Sequence, residues 1–539
     1  MAAGINMQRT AKIRTFPAPI GGLNIVDNLV SMPATDATVL RNFFSQPYGL
    51  EVRKGNVRHA TGLGAQVQTI IEHITAQQSG LTKLFAFAGS GMYDVTTPGD
   101  QTRTPVLTGL SNAKWDGPAI SNASGYNRIL FNGVNDGIWI KDNFTIGRIT
   151  SAVDQNNPTA GELAGVNPKT LVSGTVHQKR IWLVQGNSTR AWYLAPEAIS
   201  GQATMFDFGA IFQRGGYLAA IATWTIDSGT GIDDLLVAVS SRGEIAIYAG
   251  TDPAGIDTWY LKGVFQSGTP LSVRAITKIK GDLVIATQFG LLSMSEALKL
   301  GTTGEGGKSG AYLSRKIQYL VAQLAHDLST EFGWQICYWP DNNMLLVNAP
   351  KLDSSGQLVM STITGGWSQF DNWDALCFTI FQGQPVYGDR NGNIWRAWEG
   401  YTDGAIQSDA ITITSGTAVY AEVQAAFNFF DSAAVVKHAK MARPTFIGGQ
   451  SIAYNIMVNS DYNYDVVSVP GIAGSAPAAL WNAGIWGADK WSASPKSTQH
   501  IWTSVTGLGS AFAMRLAFQV AQPVLWASYD IMYEEGIGI

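Results

Sequence analysis

A two-strand unit recurs seven times between residues 84 and 398: an apolar strand, a turn carrying Gly or Asn, and a second strand ending near an aromatic. The copies begin at Leu84 (LFAFAGSGMYDV), Ile129 (ILFNGVNDGIWIKD), Ile181 (IWLVQGNSTRAWYL), Leu235 (LLVAVSSRGEIAIYAG), Leu283 (LVIATQFGLLSMSE), Leu345 (LLVNAP and a longer turn) and Val386 (VYGDRNGNIWRAW). Their starts lie 41 to 62 residues apart, about 50 on average, close to the length of one four-stranded propeller blade. A sandwich would show turn signals every 8 to 12 residues without this longer period. The strands read as near-continuous Leu, Ile, Val and Ala, as expected of a central pair buried on both faces between neighbouring blades. The expected fold is therefore all-β: a propeller of seven blades, with six as the alternative, plus a C-terminal β-domain.

A propeller commonly closes its ring with a strand from one terminus, which removes an exposed edge. The segment 49–57, GLEVRKGNV, is the candidate. The domain reading that follows is an N-terminal arm with a short helix over 1–48, a propeller over 49–403, and a Trp-rich C-terminal β-region over 404–539. The arm's helix is expected over 36–44, capped by Thr35 or Asp36, with Val39, Leu40, Phe43 and Phe44 on one face. A second helix is expected over 314–328, where Ile317, Leu320, Val321, Leu324 and Leu328 follow helical spacing. It follows the Gly-rich run 301–310, which reads as a flexible loop, so that a loop and helix insert near 301–328. Past Asp403 the period is lost, and alternating segments begin at Ala418, Phe512 and Val524. Trp481, Trp486 and Trp491 are five apart, which fits neither strand nor helix; they anchor a long loop on their own domain or dock on a neighbouring subunit.

Composition bears on partners. Only 14% of residues are charged and the net charge is −4, without the clustered Lys and Arg that a phosphate grip needs. The 59 glycines suit many turns. No apolar run approaches the ~20 residues of a membrane span, and the start of the chain has basic residues without the apolar stretch of a secretory signal.

Chemistry-bearing motifs are sparse. Cys337 and Cys377 make no disulfide framework. His59, His73, His177, His326, His438 and His500 show no metal-ligand spacing. Gly307, Lys308 and Ser309 resemble the end of a phosphate-cradling loop, but Thr302 stands where that pattern needs Gly. Asp252, Gly255, Thr258 and Trp259 approach a turn found in sialidase-like propellers, at spacings that do not match. Asp389, Arg390 and Asn391 lie in a tight Asn-Gly hairpin that lacks the further acidic ligands of a calcium loop. No catalytic, cofactor-binding or metal residue is assigned, no cofactor is expected, and channel-lining or interface residues are not legible.

The run 17–57 resembles the opening of tail proteins from short-tailed bacteriophages. The shared positions are Gly22, Leu23 and Asn24; Met32, Asp36 and Ala37; Leu40 and Asn42; and Gly49, Arg53 and Gly55. The run 365–404 is similar to the last blade of those proteins, and the Trp-rich end closing on Glu534, Glu535 and Gly536 also looks like theirs. The resemblance implies a structural virion protein, not an enzyme: a tail nozzle or hub assembling as a homohexameric ring below portal and adaptor proteins. Such a ring continues the channel for double-stranded DNA, carries fibres or spikes, and is made in the bacterial host cytoplasm. A mildly acidic, Lys-poor protein suits sliding DNA better than a basic one, because attraction to phosphate would hold the genome in place. The alternative is a propeller glycoside hydrolase or glycan-binding module. That alternative predicts a polar pocket on the propeller axis, whereas a structural ring predicts no cluster of arginine and carboxylate there.

Overall fold

The computed structural model describes residues 11–76, 81–227, 232–255, 257–300, 312–350, 355–407, 413–414, 416–430, 432–448, 451–468 and 497–536. The loop 301–310 and Trp481, Trp486 and Trp491 lie outside them.

Five antiparallel sheets follow one another along the chain. The first holds Val67–Ile74, Thr82–Ala88 and Gly91–Asp94. The second holds Ala119–Asn122, Gly125–Phe131, Gly137–Ile140 and Ile146–Ser151, widened by two short parallel strands. Leu171–His177, Arg180–Gln185, Arg190–Tyr193 and Thr204–Asp207 form the third. The fourth is Leu218–Asp227, Ile232–Ser240, Glu244–Gly250 and Trp259–Gln266, and the fifth is Ile276–Ile279, Asp282–Thr287 and Gly290–Ser293. Apolar side chains fill the gaps between sheets. Phe85, Phe87 and Trp115 meet Leu130 and Ile138 between the first two, and Trp182 stacks on Trp259 between the third and fourth.

All seven sequence hairpins are paired strands, but the step from hairpin to blade fails for the last two. The Leu345 hairpin lies in Gln335–Trp339, Met344–Pro350, Ser355–Ser361 and Trp367–Phe370, whose outer strand pairs onward with Gly22–Leu23 and Asp36–Arg41. The sheet then continues through Thr417–Ala425, Phe512–Val520 and Tyr454–Ser460, and Thr402–Asp403, paired beside Thr417–Ala425, makes the tenth strand. The Val386 hairpin, in Cys377–Phe381, Gln384–Gly388 and Ile394–Ala397, continues into Asn56–Ala60, Ala405–Gln407 and Ile413–Thr414. Counted as self-contained sheets, the propeller therefore has five blades, not the expected seven or six. The two remaining hairpins belong to mixed sheets shared with the chain ends. Hairpin periodicity reports strand pairs and carries no information on what their outer edges bond to.

First strands of successive sheets lie side by side around an axis. Leu171–His177 lies against Leu218–Asp227, and Ile276–Ile279 against Gln335–Trp339; Cys377–Phe381 in turn meets Val67–Ile74. The strand added to the Val386 hairpin is Asn56–Ala60, overlapping only the end of the expected 49–57 segment. Gly49–Val52 instead pairs with Phe43–Gln46 and Val524–Glu535.

Where a helix is expected over 36–44 there are two strands, Asp36–Arg41 and Phe43–Gln46. Both faces of this segment are covered, so its apolar residues mimic helical spacing, while Thr38 and Val39 are β-branched and suit a strand. Asn42 separates the strands with φ of 59°, a left-handed conformation that Asn tolerates better than most residues. The second expected helix is a short 3-10 turn, Arg315–Ile317, followed by an α-helix, Gln318–Leu328, that buries Val321, Ala325 and Leu328. The indole of Trp334 donates to the Leu328 carbonyl (2.9 Å) and so partners one of the free carbonyls at the helix end. Met294–Leu300 is a further helix that sequence reasoning missed.

The C-terminal strands pack as a second β unit. Lys437–Gly448 and Val524–Glu535 anchor a seven-stranded sheet that also takes Lys12–Pro17, Phe43–Gln46 and Gly49–Val52. Its core, with Phe43, Phe446, Phe518 and Trp526, is continuous with that beneath helix Gln318–Leu328 and the fifth blade.

Candidate functional site: the axial cavity and the N-terminal lock

Two places concentrate polar side chains. The first is where residues 21–55 join the propeller to the C-terminal sheets. All of the positions that carry the sequence resemblance, from Gly22 to Gly55, are buried here. Asn24 Nδ2 donates to Asp36 (2.7 Å) and to Asp27 (2.9 Å), while Lys316 Nζ reaches the other Asp36 oxygen at 2.7 Å. Arg315 pairs with Asp27. Gly22, at φ +83°, sits so close to the backbone that a Cβ would lie 2.3 Å from the Trp367 amide nitrogen. Asn42 Oδ1 accepts from Arg53 Nε (2.7 Å) and the Asp371 amide (2.9 Å), and its Nδ2 donates to the Tyr420 carbonyl (2.8 Å). Arg53 then clasps Asp403 through both terminal nitrogens (2.7 and 2.6 Å) and donates to the Asp371 carbonyl, with its guanidinium 5.2 Å from the Trp373 ring. The arginine is 1% exposed, so the fork satisfies a charge that water does not reach.

The second place is a cavity of about 490 Å³ on the propeller axis, lined by the first strands of the first, third and fourth blades and of both mixed sheets, by Val273, Arg274 and Ile276 at the start of the fifth blade, and, in the second blade, by residues 115–117 and the strand Gly125–Phe131. Its wall presents Glu72, Asp116, Arg128 and Arg274 from four separate segments. Arg274 donates to the Gln68 and Trp115 carbonyls (2.8 and 2.7 Å) and to Thr69 Oγ1 (2.6 Å), and its guanidinium stacks over Phe332. Thr69 Oγ1 donates to the Ala113 carbonyl and accepts from the Trp115 amide, so this arginine ties the first blade to the approach of the second. Asp116 accepts from Ser173 Oγ at 2.6 Å. Burial raises its carboxyl above the usual range, against the opposing pull of that hydroxyl and of Arg274. Burial likewise lowers the Arg128 and Arg274 guanidinium groups. Glu72 accepts from the Gln382 amide. Arg128 differs from its neighbours: its Nε is buried with no hydrogen-bond partner.

The axial residues escaped sequence reasoning because they stand on different blades with no common spacing. Asp116 and Arg274 precede first strands, the only regularity that could have marked them. Other candidates fall elsewhere. Asp252 accepts from the Ala254 amide and pairs with Arg180, and Thr258 Oγ1 donates to the Asp252 carbonyl, which makes the segment a closed turn. Trp259 is core. Asp389 spends both oxygens on its own hairpin, accepting from the Asn391 and Asn393 amides, Asn393 Nδ2 and the Trp395 indole, and Arg390 pairs with Asp374. Cys337 and Cys377 are buried, and burial pushes both thiols up to about 12, which leaves them unreactive. Burial holds the imidazoles of His59, His73 and His177 down at about 4. Among the described residues no three His, Cys, Asp or Glu side chains are grouped to hold a metal ion, and no helix is long and apolar enough to cross a membrane.

No protein-family profile and no curated protein sequence matches the chain. Solved structures that it resembles include YCF48 bound to a D1 peptide, at 11% identity and a TM-score of 0.36, covering 68% of this chain and 99% of that one. PorZ, a surface component of the type-IX secretion system of Porphyromonas gingivalis, aligns at 12% identity and a TM-score of 0.34, covering 71% of this chain and 44% of its own. Raptor from Chaetomium thermophilum aligns at 8% and 0.37, covering 65% and 29%.

Proposed function

We propose that the chain is a structural subunit of a short, non-contractile phage tail, a nozzle or hub that assembles as a six-fold ring, extends the DNA channel below portal and adaptor, and supports fibres or spikes. One observation carries this reading. The N-terminal positions that resemble those tail proteins are the buried positions of the lock, where Asn24, Asp36, Asn42 and Arg53 bind one another and the propeller. A pattern of glycines and short polar residues without chemistry has a physical purpose here, namely holding the chain start between two β units.

Negative-stain images and native mass of the purified chain test the proposal. A ring of six subunits with an open centre is the expected result. A monomer that hydrolyses or binds glycans would overturn it.

A second reading, a propeller glycoside hydrolase or glycan-binding module, is favoured by the axis. Arg128, Arg274, Asp116 and Glu72 line one cavity there, and a conduit ring has no need of such a cluster. Arg274 is occupied in bracing the blades, and Arg128 is held beside Tyr126, Asp116 and Glu72 on the same wall.

A further inference from the structure

We infer that a second cavity, at the end of the propeller where the first strands of its blades begin, binds a pyranose ring laid against the face of Tyr217. The inference deepens the glycan-binding reading and rests on it, and it is independent of the ring assembly. The cavity measures about 400 Å³, within the ~300–1,000 Å³ usual for small-ligand sites, and shares Val273 with the axial cavity. Lys169, Thr170 and Tyr217 stand just ahead of the first strands Leu171–His177 and Leu218–Asp227, while Gly186 and Asn187 lie in the turn after Arg180–Gln185. Tyr217 is fixed through its backbone. Its amide donates to Ser241 Oγ (3.0 Å), its carbonyl accepts from the Ser241 amide (2.8 Å), and the next amide, of Leu218, donates to the Ser188 carbonyl (2.9 Å). The side chain is nonetheless 44% exposed and meets no other ring or cation among the described residues. A ring on a fixed backbone offers contact area at low entropic cost.

The other walls narrow the ligand. Val172 and Val273, both half-buried, supply apolar surface beside the tyrosine. Lys169 and Asn187 are exposed, and among the described residues neither the ammonium nor the side-chain amide has a hydrogen-bond partner, so both are open to a ligand. Asn187 has φ of 53°, the left-handed turn conformation that Asn tolerates, so the turn itself sets where the amide stands. No carboxylate among the described residues lines the space and Lys169 does, which disfavours an amine. The face of an aromatic ring carries partial negative charge and attracts polarised C–H groups. A pyranose presents such hydrogens on its flat faces and hydroxyls around its rim, where Lys169 and Asn187 stand. An open-chain polyol has the hydroxyls without the face.

Saturation-transfer nuclear magnetic resonance on the full chain, with methyl β-glucoside and in parallel with mannitol, is the test. In the glucoside every ring substituent is equatorial, so the axial hydrogens of its two faces are separate sets. Transfer should fall mainly on one set, and mannitol should receive severalfold less. Tyr217→Ala is expected to abolish the transfer and Tyr217→Phe to keep it, both near the wild-type melting temperature because the side chain lies outside the core. Asn187→Gly, which suits the left-handed backbone, is a second variant and should weaken binding severalfold. Equal transfer to glucoside and mannitol, or to both faces of the ring, overturns the stacking. Transfer that survives Tyr217→Ala, or binding unchanged in Asn187→Gly, overturns the placement in this cavity and leaves a glycan-binding module standing. No transfer at tens of millimolar overturns the inference, and the glycan-binding reading falls with it only if a wider glycan screen of the chain is also blank.

Discussion

Arg53 shows how one side chain can hold distant parts of a chain together. Its partners Asn42, Asp371 and Asp403 come from three stretches of sequence, and all of its contacts are away from water. Breaking such a pair strands a charge in a site where it cannot be hydrated. Asp403→Asn should therefore cost about 3–5 kcal/mol in denaturant unfolding. The double variant Arg53→Met with Asp403→Leu should recover part of that loss, because both charges are gone; a double variant as unstable as the single one would refute the reasoning. The three buried imidazoles give a second residue-scale expectation. His59, His73 and His177 carry folded values near 4 against 6.5 when free, so the unfolded chain binds more protons between those limits. Their contribution is complete above pH 6.5 and is lost as pH falls toward 4. At about 1.4 kcal/mol per tenfold difference in proton affinity, each withdraws on the order of 3 kcal/mol. The denaturation midpoint should decline steadily across that window, and a flat profile down to pH 4.5 would contradict the burial of these rings.

At the scale of elements, the strand Asn56–Ala60 matters more than its length suggests. It covers the edge of Ile394–Ala397 and also pairs in parallel with Ala405–Gln407, so it sits inside a sheet. Gly55, just ahead of it, passes so near the Thr402 carbonyl that a Cβ would stand 1.8 Å from the oxygen. Gly55→Ala should cost about 1–3 kcal/mol or more, as overpacking does, and lower the melting temperature measurably; a neutral substitution would mean the backbones can separate freely. Removing residues 1–60 should give aggregated protein, because unpaired strand edges and the apolar surfaces that Phe43 and Phe44 cover, Phe518, Trp526 and Trp398, are opened together. Soluble monomeric protein from that truncation would show the N-terminal strands to be dispensable.

Over the whole molecule, propeller and C-terminal sheets are not separate bodies joined by a linker. One apolar core runs from Ile279 and Val284 in the fifth blade through Val321 and Leu328 of the helix to Phe518 and Trp526. The chain start is threaded through both parts. Calorimetry should accordingly give a single unfolding transition, and two resolved transitions would contradict a shared core.

Local pattern was enough for the hairpins. Turn residues between apolar runs specify antiparallel neighbours over a dozen residues, so all seven strand pairs, the all-β class and the helix Gln318–Leu328 were legible in the sequence. The strands at Asp36–Arg41 were not, because a segment covered on both faces loses the alternation that distinguishes strand from helix. Nor was the blade count, since whether Trp367–Phe370 or Ile394–Ala397 ends a sheet depends on strands more than 300 residues away in sequence. The axial cavity has the same origin. Glu72, Asp116, Arg128 and Arg274 become neighbours only when the ring closes, and no spacing along the chain records that closure. Periodicity written in neighbouring residues determined the repeating unit; edge pairing and burial, which act between residues far apart in the chain, decided how the units were joined and where charge was gathered.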